Sequence, residues 1–302
     1  MSDDIIIFDR AAVRRHRERG ALFAAETRFL HRAVQERLAD RLNEVRVRFT
    51  QALDLGAGDG GLAELLALSG QTPEIVAFDP AWRFARHHKR GVVGEAEALP
   101  FRAASFDLVV SALGLHWTND LPGALLQLRH ILKPDGLLLA TLFGGRTLWE
   151  LQEVMMQAEL DVSGGAGPRV SPFADVPDCG ALLQRAGLAL PVVDSETLTV
   201  TYPHLFALMQ DLRAMGETNA QVARPRTASP RALFLRAAEL YRERFGDADG
   251  RIPATFQLIN LTGWAPAASQ QQPLKRGSAT ARLADALGTE ERPAGDVVPG
   301  RG

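Results

Sequence analysis

The chain has 302 residues, 46% of them hydrophobic, and a formal net charge of -2. That length admits two domains or one large decorated α/β domain, with ample apolar mass for a core. A near-neutral balance gives no general pull toward nucleic acid or membrane. The single cysteine, Cys179, excludes a disulfide framework, and no apolar run reaches spanning length. No signal peptide is visible, so cytoplasm is the expected compartment.

Residues 5–8 form a short apolar anchor, followed by Arg10, Arg14, Arg15, Arg17 and Arg19 on one helical stretch. Those arginines read either as a solvated face or, more sharply, as a lid over a ligand or a docking surface for an acidic partner. Leu30, Val34, Leu38, Leu42 and Val45 step by four and three, giving a second helix with one apolar stripe. Residues 52–55 read as a buried strand that breaks into QALDLGAGDGG, where Gly56, Gly58 and Gly60 permit a tight turn. Leu62, Leu65, Leu66 and Leu68 then recur at helical spacing.

Strands are expected at 75–78, 92–93, 106–111 and 137–142, with a helix at 121–132 and a Lys-Pro-Asp-Gly turn at 133–136. This alternation predicts a doubly wound parallel α/β sheet with its ligand site at the strand carboxyl ends. Beyond it, helices are expected at 147–160, 179–186, 205–215 and 231–245, a Gly/Pro-rich loop at 163–177, and strands at 198–200 and 255–264. The last two strands would close the sheet edge around an inserted helical cap. From Pro266 onward few large apolar residues remain, and disorder is expected over most of it, the exceptions being RGSAT and 283–287, where a helix formed with a partner is allowed. The segments are therefore 1–48, 49–160, 161–264 and a tail, 265–302.

Three acids fall at strand ends. Asp54 can attract a ligand ammonium, Asp79 can accept from two ribose hydroxyls, and Glu95 can accept from an adenine amine. Ammonium, diol and amine together describe S-adenosylmethionine better than a dinucleotide, which the glycine spacing alone would also allow. Gly56, Ala57, Gly58, Gly60, Pro80, Ala96, Glu97 and Ser111 complete the candidate cofactor set.

The motifs DLGAGDGG, GEAEALPF, FDLVVSALGLHW and LKPDG resemble the S-adenosylmethionine-dependent methyltransferases of the seven-strand Rossmann-like type. FDR, LHWTNDLPGAL, FGGRTLWEL, RVSPFADV, DLRAMGETNA, IPATFQLINLTGW and RGSAT extend the likeness. They resemble the family of the mitochondrial complex I assembly factor known as an arginine hydroxylase, and more distantly the malonyl-carrier-protein methyltransferases of biotin synthesis. The resemblance implies a seven-stranded sheet with N-terminal helices and a C-terminal helical cap. It also implies S-adenosylmethionine as cofactor and an arginine of a complex I subunit as acceptor. Because the chain starts almost at FDR, it is read as a bacterial counterpart without a transit peptide, meeting membranes only through its client.

His116 and Trp117 follow the fourth strand, where side chains of this fold face the methyl donor. His116 can orient or deprotonate an acceptor, and Trp117 can offer its π face to a cation. The plainer alternatives are a satisfied polar cap and a core aromatic. Glu217 is the candidate contact for a guanidinium, with Asp120 a further acid; Asn219 is assigned to turn chemistry, and Trp149 and Trp264 to the core. None of the seven histidines falls into a 2-His-1-carboxylate spacing, so no metal is expected. A non-catalytic assembly factor that keeps the cofactor pocket for stability is the alternative to an enzyme.

Overall fold

Apolar runs and amphipathic helices alternate along the chain and assemble into one mixed sheet with helices on both faces. The computed structural model describes residues 6–23, 25–68, 73–271 and 282–290. The N-terminal helices are α1 (Arg10–Gly20) and α2 (Phe29–Glu44). The core continues through β1 (Gln51–Leu55), α3 (Gly61–Leu68), β2 (Glu74–Asp79), α4 (Trp82–Ala85), β3 (Gly91–Val93), β4 (Phe106–Ala112), α5 (Leu121–Ile131) and β5 (Leu132–Phe143). Then follow α6 (Trp149–Ser163), α7 (Val176–Arg185), β6 (Ala189–Tyr202), α8 (Leu205–Met215), α9 (Arg231–Phe245) and β7 (Ile252–Trp264).

The strand order is β3-β2-β1-β4-β5-β7-β6; β1 to β5 are parallel, and β7 runs against both its neighbours. The order reverses between β1 and β4, which opens a crevice at their carboxyl ends. Central strands are apolar on both sides because helices cover both. Leu108, Val110, Leu137 and Leu139 pack into the cluster that includes α2, α3, α6, α8 and α9, and Val109, Leu138, Ala140 and Leu142 into the one that includes α5 and α7. The stripe Leu30, Val34, Leu38 and Leu42 is fully buried in the first cluster, as its spacing requires.

Two local expectations change. The strands expected at 198–200 and 255–264 extend to 14 and 13 residues, paired from Ala189↔Trp264 to Tyr202↔Ile252. β6 is an edge strand in which Asp194 and Glu196, half-buried and paired with Arg41 and Arg37 of α2, interrupt the apolar pattern ahead of Leu198. The 133–136 turn is drawn into β5: the register jumps from Phe106↔Leu132 to Leu108↔Leu137, and Asp135 has φ +61°. Turn residues here make a bulge rather than a loop. In the tail, residues 283–287, set apart from the expected disorder as a candidate helix, form α10 (Leu283–Leu287). The rest of that expectation, over 272–281 with RGSAT and over 291–302, lies outside the described residues, as does Ile5.

The chain divides into two compact units, Met1–Ala267 and Ala268–Gly302. α8 and α9 fall between β6 and β7 and form the cap on the first unit. Among the described residues no helix is long and apolar enough to cross a membrane.

Candidate active site

The glycine turn sits where β1 ends against β2. Gly56 has φ +76°, and a Cβ there would come within 2.8 Å of Gly114 Cα, so only glycine fits. The Gly56 and Ala57 amides donate to the Phe78 carbonyl at 2.7 and 3.3 Å. Asp79 is wholly buried; its carboxylate accepts from the Gly58 amide at 3.1 Å and the Ala81 amide at 2.8 Å.

α1 lies across this turn. Arg17 reaches both Asp79 oxygens, Nη2 at 2.5 Å and Nε at 3.2 Å, and also the Gly56 carbonyl at 3.4 Å. Arg10 pairs with Glu95 and Glu97, and Arg14 Nη2 lies 3.0 Å from Glu95 Oε1. The solvated-face reading therefore fails for Arg17 and for Arg10, which pair with the acids expected to hold a cofactor, whereas Arg14 pairs with Glu95 and stays exposed. Between them a cavity of about 30 Å³ remains, bounded by Arg10, Arg17, Gly56, Pro80, Ala96 and Trp117. Asp54, only 3% exposed, is pushed up to about 7 by burial and then by the neighbouring Asp79 and Asp59, with Arg17 working against them.

Other candidates take supporting positions. Ser111 is buried and donates to the Leu55 carbonyl at 2.8 Å, tying β4 to the end of β1 rather than facing the cavity. Glu97 accepts from the Asn119 amide at 2.5 Å and so fixes the loop carrying His116 and Trp117. Gly60 takes φ +85° beside the His88 ring.

Past Trp117 a second, larger cavity opens, about 260 Å³, walled by Phe143, Leu151, Met155, Phe173, Met209 and Phe234 among others. Its acid is Glu217, set just beyond α8 by the left-handed Gly216. Glu217 Oε2 lies 2.9 Å from His116 Nε2 and accepts from Trp117 Nε1 at 2.9 Å; Oε1 is 3.8 Å from His31 Nε2. Burial alone would raise the Glu217 carboxyl, but His116, His31 and Arg17 outweigh it and hold it below its ordinary value. Burial pushes His31 down to about 4, so it is neutral near pH 7. The Nδ1 atoms of His31 and His116 are buried without a hydrogen-bond partner. Trp117 lines both cavities, a shared wall between turn and acid.

Of the partners of this acid, His116 and Trp117 are candidates from the sequence and His31 is not. His31 lies next to an apolar stripe on α2, and nothing in its spacing marks it. Asp120 does not join the site: it caps α5 by accepting from the Gly123 amide at 2.8 Å. Asn219 makes the expected turn contact, accepting from the Gln221 amide at 3.0 Å, and also donates to the Pro168 carbonyl at 2.8 Å. That second bond holds the 163–177 loop against the larger cavity, which Arg169, Val170 and Ser171 help to line. Trp149 and Trp264 are half-buried against the core. Among the described residues no three His, Cys, Asp or Glu side chains are arranged to hold a metal ion.

Strand order, reversed β7 and glycine turn define a class I methyltransferase fold. The YcgJ protein of Bacillus subtilis has that architecture too, with a TM-score of 0.53 at 17% identity over 77% of this chain and 100% of that one. A methyltransferase domain model matches residues 53–140. The mitochondrial arginine-hydroxylase NDUFAF5 of Danio rerio is 39% identical over 92% of this chain and 89% of its own. The malonyl-[acyl-carrier protein] O-methyltransferase of Xylella fastidiosa is 34% identical over 86% of this chain and 89% of its own. The chain belongs to the S-adenosylmethionine-dependent methyltransferase superfamily, in the family of the arginine-hydroxylase NDUFAF5.

Proposed function

We propose that the chain is an S-adenosylmethionine-dependent enzyme that modifies an arginine side chain of a protein client, a respiratory complex I subunit. The observation that carries this reading is Trp117, the wall common to the cofactor turn and to an apolar cavity whose acid is Glu217. The donor types fit the cofactor: Asp54 suits a cation, Asp79 a diol and Glu95 an amine, with Arg17 and Arg10 holding the last two acids in its place. When bound, S-adenosylmethionine supplies an electrophilic methyl group. Glu217, charged and desolvated, suits a guanidinium, which stays protonated wherever it sits. Trp117 adds an aromatic surface to the same cavity.

The same charge speaks against a malonyl carboxylate in this cavity, the acceptor in the name of the Xylella relative. There an anion would face Glu217 in a low-dielectric setting, where like charges repel strongly. Arg169, the cavity's own cation, is paired with Glu159.

The test is mass spectrometry of a complex I subunit after incubation with the protein and S-adenosylmethionine. A gain of a methylene unit on arginine identifies methyl transfer, and a gain of one oxygen identifies the chemistry in the relative's name. An unchanged arginine overturns the reading. Glu217→Gln keeps shape and deletes charge, so it should leave cofactor affinity intact and slow modification. Loss of a charge-assisted bond of about 1.5–3 kcal/mol corresponds to roughly ten- to a hundredfold.

A further inference from the structure

A third hollow, about 320 Å³, lies beside the acceptor cavity and is lined by Arg19, Phe206, Met209, Gln210, Arg213 and Thr218. It is not separate ground: Met209 and Thr218 line the acceptor cavity as well. Its chemistry is the reverse. Two guanidiniums meet there, Arg19 from α1 and Arg213 from α8, and no carboxylate among the described residues pairs with either. Arg19 Nη2 donates to Thr218 Oγ1 at 2.9 Å, yet its Nε is buried without a partner. Burial, and then the like charge of Arg213, pull the Arg19 guanidinium below its ordinary pKa. The chain pairs buried arginines elsewhere, as at Arg17–Asp79 and Arg28–Asp59. Here a half-buried and an exposed guanidinium share an open hollow with no acid of the described residues paired to either.

We propose that this basin is a second subsite for the same polypeptide, holding the carboxylate of an aspartate or glutamate close in sequence to the modified arginine. The inference rests on the reading of the Glu217 cavity as the acceptor site. The shared wall supplies the link: a side chain lying over Thr218 belongs to the same segment whose arginine reaches the adjacent Glu217. An incoming carboxylate relieves the Arg19–Arg213 repulsion and gives the orphaned Nε an acceptor. Phe206, 40% exposed, offers an apolar edge to the polypeptide beside that acid. Opposite charges in adjacent subsites also fix the direction in which the segment lies, because reversing it would set like against like on both sides.

The experiment is fluorescence anisotropy of the full chain with labelled synthetic peptides. Each carries one arginine and one glutamate, the spacing varied up to a helical turn. Matched sets replace the glutamate by glutamine, or the arginine by glutamine. At the best spacing the acidic peptide should bind about tenfold tighter than its glutamine form, ~1.4 kcal/mol. Arg213→Gln should erase that preference and leave the preference for arginine; Arg213 is exposed, so the fold should tolerate the change. The proposal is overturned if no spacing shows an acid preference, if the preference survives in Arg213→Gln, or if no peptide binds. Failure of the two readings can be told apart. An acid preference without an arginine preference keeps the basin and removes Glu217 as the acceptor group. An arginine preference without an acid preference keeps Glu217 and removes the basin.

Discussion

Asp54 and Asp79 are two buried carboxylates at adjacent strand ends with different partners. Asp79 has two amides and Arg17, whereas Asp54 is left to be pushed up to about 7. A carboxyl raised in the folded state holds a proton that the unfolded chain has lost. It therefore lowers stability progressively as pH rises from the ordinary aspartate value of 3.8 toward about 7, and adds no further slope above. Asp54→Asn removes that term. Urea unfolding across this range should show the variant gaining on the parent protein up to about pH 7 and then running parallel. A constant difference would mean that Asp54 is already ionised throughout. The same variant should bind S-adenosylmethionine more weakly, since a ligand ammonium loses its countercharge.

α1 competes for the acids that a cofactor would use. Its outer pairs, Arg10–Glu95 and Arg14–Glu95, are half-exposed and individually weak. The Arg17–Asp79 pair is different, with side chains 7% and 0% exposed. Replacing Arg17 with Met leaves a buried carboxylate without its counterion, a loss of about 3–5 kcal/mol for pairs of this kind. It also removes the competitor for Asp79. The expected result of Arg17→Met is a lower unfolding midpoint in denaturant together with tighter S-adenosylmethionine binding by calorimetry. Weaker binding would instead make Arg17 a member of the cofactor's own contact set. α1 is also tied to the loop after α8: His16 Nδ1 lies 3.0 Å from the Thr218 carbonyl, and Asp9, its N-cap, is 2.7 Å from Arg224. A shift of α1 would therefore be felt beside Glu217.

At the scale of the molecule, the antiparallel pair β6/β7 closes one end of the sheet and carries the cap that walls the Glu217 cavity. α2 is fastened to that far edge by Arg37–Glu196 and Arg41–Asp194, at 2.9 and 2.7 Å. Asp194 also accepts from Asn260 Nδ2 at 3.0 Å, so one carboxylate joins α2, β6 and β7. The first compact unit ends at Ala267, just past β7. A chain stopped after Ala267 should unfold in one cooperative calorimetric transition and still bind S-adenosylmethionine. Loss of that transition would show that residues beyond 267 are needed for the core.

The residues themselves determined the parallel half of the sheet and the turn. Strands buried on both faces are continuous apolar runs, and a glycine needed for positive φ announces itself, as in 52–61 and 106–111. They also placed Asp54, Asp79 and Glu95 at strand ends, because a strand end is a local property. Of β6 only 198–200 was legible, where Leu198, Val200 and Tyr202 alternate with threonines; the stretch before it carries Asp194 and Glu196, which break that alternation. Only the tertiary structure decided that the arginines of α1 lie on the cofactor acids and that His31, His116, Trp117 and Glu217 converge. Glu217 and His116 are 101 positions apart, and no local spacing encodes such a contact. Their meeting follows from where α2, the end of β4 and the cap come to rest on a shared core, a packing outcome that depends on all the elements at once.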